Sequence, residues 1–452
     1  MRLTIIHPAI GHRIGERYIR SWQMEPLPAA AIAGLTPEDV DIRFYDDRME
    51  KIPYDEPTDA VAISLETYTA KRVYQIASEY RKRNVPVILG GFHATLVPEE
   101  AERYAESVIV GEAESIWSTV LDDLRHGTLK KRYQGFERPQ LEKIRPDRSI
   151  FHGKRYLPIG LVETGRGCRF PCEFCAIQTF FDRTHRTRPL DNILAELESL
   201  KKTRKIFFFV DDNFAGNMEA AKPLLAAMAS MNIRWITQMS INAAHDEEFL
   251  SLLSRSGCKG VLIGFETLDR ETLRSMKKNF NAMGGGYEKA LSNLRRYNIR
   301  VYGTFVFGYE NDSAETFERT VDFAIDQRFY IAAFNHLTPF PGTPLYNRLK
   351  QEGRLRFDAW WIDDAYRYND VPFFPKNLNH DDITRLCVES RRRFYSWGSI
   401  IKRGFEKTNR SDPFMFRNFF PINHMHRVDV SNRNGYPLGD ESWRGVLLEA
   451  DR

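Results

Sequence analysis

Cysteine is scarce in this chain, with five in 452 residues. An odd number at that density argues against a disulfide framework and for thiols kept reduced for chemistry. Long apolar runs are missing too. The longest resemble "IFFFV" at 206–210, far below the roughly 20 residues that span a bilayer. The opening "MRLTIIHPAIGHRIGERYIRSW" has only a four-residue apolar run, short of a secretory leader. An excess of either charge is also absent. The 65 basic and 61 acidic side chains give a formal +4, too little to argue for nucleic acid or an anionic membrane. These absences predict a soluble cytoplasmic protein with no membrane span and no nucleic-acid partner.

What is present is α/β alternation, in two series. Residues 1–127 hold five strand-like runs, "LTIIHP" (3–8), "DIRFYD" (41–46), "AVAISLE" (60–66), "PVILGG" (86–91) and "SVIVGE" (107–112), with a helical pattern clearest at 69–84. That rhythm predicts an open, mostly parallel sheet whose ligands lie at the carboxyl ends of its strands, around 64–68 and 90–95. Residues 128–157 are charged, carry glycines and prolines with little periodicity, and read as a connector. Residues 158–350 give six further strands at 159–167, 205–212, 234–242, 260–267, 300–308 and 331–339, separated by helical stretches. Six βα units predict a partial (β/α)6 TIM-type barrel. In 351–452 the alternation stops, and an aromatic, helical segment follows. There 381–407 reads as one amphipathic helix with a basic face, packing aromatics inward with a lipid-surface role as the alternative.

Three of the five cysteines fall in "CRFPCEFC", at Cys168, Cys172 and Cys175, where the first barrel strand ends. Structural zinc usually takes four ligands as two close pairs, and no second pair exists here. A four-iron cluster can accept three thiolates and leave one iron open to a non-protein ligand. Cys258 and Cys387 stand alone and read as small buried apolar residues.

This Cys-x3-Cys-x2-Cys loop, placed after the first of six βα units, resembles that of the radical S-adenosylmethionine (SAM) superfamily. The resemblance implies a 4Fe-4S cluster on the three cysteines, with Phe174 packed near the adenine of SAM. It implies further that "FVDDNF" offers Asp211, Asp212 and Asn213 as acceptors where the superfamily commonly has a glycine-rich stretch. Gln238, Ser240 and Asn242 along "TQMSIN" would meet a ribose or carboxylate, and "GVLIGFET" resembles the strand near the adenine, with Glu266 at its end. "HLTPFPGTPLY" resembles members that carry a cobalamin-binding domain, with His336 or Thr338 facing the substrate.

Residues 1–127 resemble that cobalamin-binding domain, a flavodoxin-like (Rossmann-like) sheet. Ser64, Glu66, Gly90 and Gly91 are then the candidates to meet a corrin. The loop "YDDRMEKIP" (45–53) holds no histidine where many such domains supply one to the cobalt. Two outcomes stay open: cobalamin without a protein histidine ligand, or a domain that has lost the cofactor and serves as a lid. The resemblance thus implies a transferase that acts on a small molecule and draws on a one-electron reductant such as flavodoxin or ferredoxin. Its reaction is cobalamin-assisted methyl transfer or rearrangement, the alternative being 3-amino-3-carboxypropyl transfer from SAM to carbon, phosphorus or arsenic. A reading from another class is a non-catalytic iron–sulfur module that senses redox state or carries electrons.

Overall fold

The N-terminal runs become strands because four of the five cluster buried aliphatic side chains between turns, while Asp41–Asp46 buries Phe44 and Asp46. In the structure, a computed structural model that describes residues 1–135 and 138–450, they are β1 (Arg2–His7), β2 (Asp41–Asp46), β3 (Ala60–Ser64), β4 (Val87–Gly90) and β5 (Ser107–Gly111). All are parallel, in the order β2-β1-β3-β4-β5. That is the flavodoxin-like order, whose switch point between β1 and β3 is where ligands bind. Helix α1 (Ala70–Arg81) buries Val73, Tyr74, Ile76, Ala77 and Tyr80.

A sixth strand, β6 (Arg132–Gly135), pairs parallel with β5. It lies in the stretch expected to be a connector. Its charge hides it, since of its four residues only Tyr133 is buried. The rest of that stretch is built in as well. Phe151 packs edge-on against Phe44 at 5.6 Å, and Arg148 bonds Glu25 at 3.1 Å and Glu196 at 2.6 Å. Phe136 and Glu137, also in the expected connector, lie outside the described residues.

The run 159–167, read as one strand, divides. β7 (Gly160–Val162) enters the second sheet, and the chain then forms an antiparallel hairpin of β8 (Gly165–Gly167) with β9 (His185–Thr187). Gly167 sits at φ +87°, and a Cβ there would lie 2.1 Å from the Thr184 carbonyl oxygen, so the hairpin closes only on glycine. The other strands follow in chain order, all parallel: β10 (Phe207–Phe209), β11 (Trp235–Gln238), β12 (Cys258–Glu266), β13 (Arg300–Phe307) and β14 (Ile331–His336).

Period-two alternation sorts these side chains. Phe207, Phe209, Trp235, Ile263, Phe265, Phe305 and Phe334 are buried in the main core, where Phe209 stacks on Trp235 at 4.6 Å. Their alternates Phe208, Ile236, Gln238, Leu262, Tyr302, Thr304 and Ala333 stay half-buried and Asn335 exposed, because they face the open half-barrel.

The expected single helix over 381–407 is three: α2 (His380–Phe394), α3 (Trp397–Gly404) and a single turn at Lys407–Arg410. Two side-chain caps interrupt it: Ser396 accepts from the Ser399 N–H, and Glu406 from the Thr408 and Asn409 N–H groups. A 21-residue helix, α4 (Pro413–Arg433), follows and carries Pro421 inside it. Arg403 ties these helices to the barrel. It is fully buried, lies 3.8 Å over the Phe394 ring, and donates to the carbonyls of Phe329, Tyr330 and Phe394 and to Asn423. The C-terminal tail returns to the first sheet: Gly439–Asp440 pairs with Gly11–His12, and Trp443 donates to Glu79 at 2.9 Å.

Candidate active site at the barrel mouth

The three cysteines sit between β8 and the helix Ala176–Phe180, at the carboxyl end of β7. None is in a disulfide. Burial pushes the Cys172 thiol up to about 12 and raises that of Cys175, and each is raised further by the thiols beside it. Nearby stands Lys278. Burial disfavours its charge, but Glu266, Cys172 and Cys175 outweigh that and hold its pKa above the ordinary value. Three neighbouring thiols that repel each other's ionisation beside one half-buried cation form a site that a polynuclear positive centre would complete. Among the described residues no set of His, Cys, Asp or Glu closes on a single ion. Three thiolates on one short loop are the donor set that holds a 4Fe-4S cluster with one iron left open, so the residues present fit that group.

The strand-end residues lock this loop in place. Both carboxylate oxygens of Asp211 accept from Thr164, one from the N–H at 2.7 Å and one from the hydroxyl. Asp212 accepts from the Gly167 N–H at 2.7 Å. Asn213 donates to Cys168 Sγ at 3.7 Å and to Ser240 Oγ at 3.2 Å, and accepts from the Ser240 N–H at 3.0 Å. Burial lifts Asp211 to about 7 and Asp212 to about 6. Both oxygens of Asp211 thus help to hold the loop. Asn213 and Ser240 come together at the mouth, and Gln238, at the end of β11, makes no side-chain hydrogen bond among the described residues. Phe174 packs against the barrel core.

Glu266 sits at φ +63°, where β12 shifts register against β13, and its carboxylate is paired with Lys278. Lys278 is a residue the sequence reading missed, since a lysine in "MKKNF" carries no motif. His336 is buried, its Nδ1 is 3.0 Å from the Leu337 carbonyl oxygen, and burial lowers its pKa to about 4, so the ring is neutral. Thr338 lies 3.5 Å from the Tyr68 hydroxyl of the first sheet.

Across from the loop, a cavity of ≈ 310 Å³ opens at the ends of β1, β3, β4 and β5. Ser64, Glu66, Gly90 and Gly91 all line it, and so do Glu163, Arg166, Phe180 and Phe181 of the barrel side. Gly91 sits at φ +101°, and a Cβ there would meet Leu65 O and Ser64 Oγ at 3.0 Å. The Glu66 side chain is solvent-accessible where it lines the cavity, and desolvation by the surrounding wall raises its pKa. The loop 45–53 supplies no imidazole. Instead Asp46 pairs with Arg48 at 2.7 Å and Asp47 with Arg72 at 2.7 Å. His93 is fully buried, with its ring nitrogens 3.2 Å from Thr67 and 3.1 Å from Glu100. The histidine that does line the cavity is His7, at the end of β1. Burial, helped by Arg48, lowers its pKa to about 3. The sequence reading passed over it inside a strand.

An ionic clasp joins the two walls. Glu112, just after β5, accepts from Arg166 at 2.9 Å, from Arg186 at 2.6 Å and from Arg138 at 3.3 Å. Arg166 also bonds Glu114 at 2.5 Å and Glu163 at 2.7 Å. Phe92 stacks on Phe180 at 4.3 Å beside it.

A half-barrel with a three-thiol loop on its first strand, facing an open α/β sheet across a shared cavity, defines a class of iron–sulfur enzyme. The radical SAM superfamily profile matches residues 162–324. The bacteriochlorophyllide d C-12(1)-methyltransferase of Chlorobaculum tepidum is 34% identical over 389 residues, 84% of each chain. The hopanoid C-2 methylase of Rhodopseudomonas palustris is 27% identical, over 84% of this chain and 73% of that one. In fold, the chain is similar to the radical SAM methyltransferase TsrM from Kitasatospora setae, solved with cobalamin and a [4Fe-4S] cluster. That match has a TM-score of 0.60 at 18% identity and covers 78% of this chain and 75% of that one. The cobalamin-dependent enzyme OxsB matches with a TM-score of 0.63 at 14% identity, over 95% and 71%. The chain belongs to the radical SAM superfamily, whose enzymes use a 4Fe-4S cluster and SAM. No helix of the described residues is long and apolar enough to cross a membrane.

Proposed function

We propose that this enzyme is a cobalamin-dependent radical SAM methyltransferase acting on a largely apolar small molecule. One observation carries the reading: the cavity at the strand ends of the first sheet is closed on its far side by Arg166, Phe180 and Phe181, which flank the cysteine loop, so a group held there would lie next to it. The methyltransferase relatives in sequence support it.

Cys168, Cys172 and Cys175 would hold the cluster, and Asp212, Asn213, Gln238, Ser240, Phe174 and Glu266 surround the place for SAM. Ser64, Glu66, Gly90 and Gly91 would hold one arm of a corrin, since ≈ 310 Å³ of mostly aliphatic wall takes part of a macrocycle and not all of it. When bound, these cofactors supply an electron for cleaving SAM, a carbon radical and a transferable methyl group. The protein orients them. Asp211, Asp212 and Asn213 fix the hairpin, and the Glu112 clasp fixes the distance between the walls.

The substrate would enter the open half-barrel, among Phe208, Leu262, Tyr302 and Tyr68. There Arg391 donates to Asn335 at 3.0 Å and has no carboxylate partner among the described residues. Its charge reaches Tyr302, Tyr68 and His336, so we assign it to an anionic group of the substrate. A one-electron donor such as flavodoxin or ferredoxin is required, and the reduced thiols suit the cytoplasm.

The products formed from SAM test this. Anaerobic turnover of the reconstituted enzyme should release both S-adenosylhomocysteine and 5′-deoxyadenosine. Methylthioadenosine in their place would identify aminocarboxypropyl transfer and end the proposal.

A further inference from the structure

Surface helices normally segregate apolar side chains on one buried face. The α3–α4 hairpin does not. α4 buries Met415, Phe419, Asn423 and Val430 toward the barrel and leaves Phe416 and Phe420, a third of a turn away, partly exposed. α3 adds a stripe at four-residue spacing, with Trp397, Ile401 and Phe405 at 48%, 51% and 57% exposure. The two stripes meet rung by rung. Phe405 lies 6.0 Å from Phe416 and 6.2 Å from Phe420, while Trp397 stacks on His424 at 5.6 Å. Val428 extends the patch at 46% exposure. A contiguous exposed apolar ladder of this kind marks an interaction surface.

Charge identifies the occupant. Residues 391–433 carry ten arginines and lysines against three carboxylates, a formal +7, whereas the whole chain is only +4 and the remainder is therefore −3. Lys402, Lys407, Arg410, Arg417 and Arg427 are exposed around the ladder. Of these only Lys402 has a carboxylate partner among the described residues, Asp326 at 2.9 Å. Arg427 lies 5.7 Å over the Trp397 ring at the apolar margin. Aromatic and aliphatic side chains in the plane of a hairpin, rimmed by five cations of which four have no carboxylate partner among the described residues, match the interface of an anionic bilayer.

We propose that the α3–α4 hairpin docks this enzyme on the surface of a membrane rich in anionic lipid, with Trp397, Ile401, Phe405, Phe416 and Phe420 entering the headgroup boundary and the basic rim meeting the lipid charges. The docking is peripheral and independent of the reaction assigned above. It gives a chain of nearly balanced charge a single adhesive face.

Flotation of the anaerobically purified full-length enzyme tests it, using vesicles of phosphatidylcholine alone and of phosphatidylcholine with phosphatidylglycerol. The enzyme should float with the anionic vesicles, and less so as salt rises. Ile401→Asp with Phe405→Asp should lower the bound fraction by about tenfold or more. Lys407→Glu, Arg410→Glu and Arg417→Glu together should erase the preference for phosphatidylglycerol. Unchanged circular dichroism and iron content would show that both variants remain folded. Wild-type protein left behind by both kinds of vesicle, or variants that bind as well as it does, would overturn the proposal. So would a concentration-dependent dimer broken by Phe405→Asp without vesicle binding, which would make a second copy the occupant.

Discussion

The two walls of the site are built in opposite ways. On the barrel side nearly every polar group is committed before any ligand arrives: Asp211 to Thr164, Asp212 to Gly167, Asn213 to Ser240 and Cys168, Glu266 to Lys278. On the sheet side the wall is mostly glycine and aliphatic, with Gly90, Gly91, Ile5, Ile63 and Ile109 around the cavity and Ser64, Glu66 and His7 as its few polar groups. A wall of fixed dipoles positions reacting atoms, whereas a smooth wall binds by shape. Changes on the first wall should appear in the chemistry, and changes on the second in occupancy.

Cys172→Ala should break the comparison most severely. Iron content and SAM cleavage should fall to background while the sheet-side cavity keeps its ligand, and Cys258→Ala should leave all three intact. Full iron content in Cys172→Ala would sink the ligand assignment. Arg166→Met comes next, because it removes the bonds to Glu112, Glu114 and Glu163 that couple the walls. Methylated product per SAM cleaved should drop between about tenfold and a hundredfold, with iron unchanged, as measured by product and deoxyadenosine in one assay.

Gly91→Val acts on the smooth wall alone. At φ +101° a β-branched residue is strained by roughly 1–3 kcal/mol, and its side chain crowds Ser64. Corrin affinity should weaken by about tenfold, an energy within that strain, and reductive SAM cleavage should persist. Equal losses of both in titration and cleavage assays would show that the walls are not separable.

The smallest effect concerns His336. Its folded pKa of about 4 lies below the ordinary 6.5. As pH falls through 6.5 the unfolded chain takes the proton first, and stability is lost progressively down to about 4. His336→Gln should remove up to about 2 kcal/mol of the stability lost between pH 6.5 and 5. Urea unfolding at the two values would check it, and an unchanged acid limb would count against the buried neutral ring.

The cysteine loop was legible because its chemistry needs particular residue types at fixed spacing, and eleven of the twelve main strands because burial imposes runs or alternation of apolar residues. Less local features were hidden. β6 has one buried side chain in four residues, so no pattern announces it. Lys278, Arg166 and Glu112 act through partners far away in sequence, and nothing near them distinguishes them from surface charges. The bonds from Thr164 to Asp211 were hidden too, because a strand-end carboxylate looks the same in sequence whether or not it also holds a neighbouring loop. α4 escaped notice because it is apolar on two faces, which blurs the helical period.

The most direct test of the central claim, that the sheet-side cavity serves a corrin facing the cluster, is reconstitution of the anaerobic enzyme with hydroxocobalamin followed by gel filtration. The account predicts that corrin absorbance travels with the protein in wild type and in Cys172→Ala alike, and falls in Gly91→Val. Wild-type protein that emerges without corrin, yet still cleaves SAM, would contradict it.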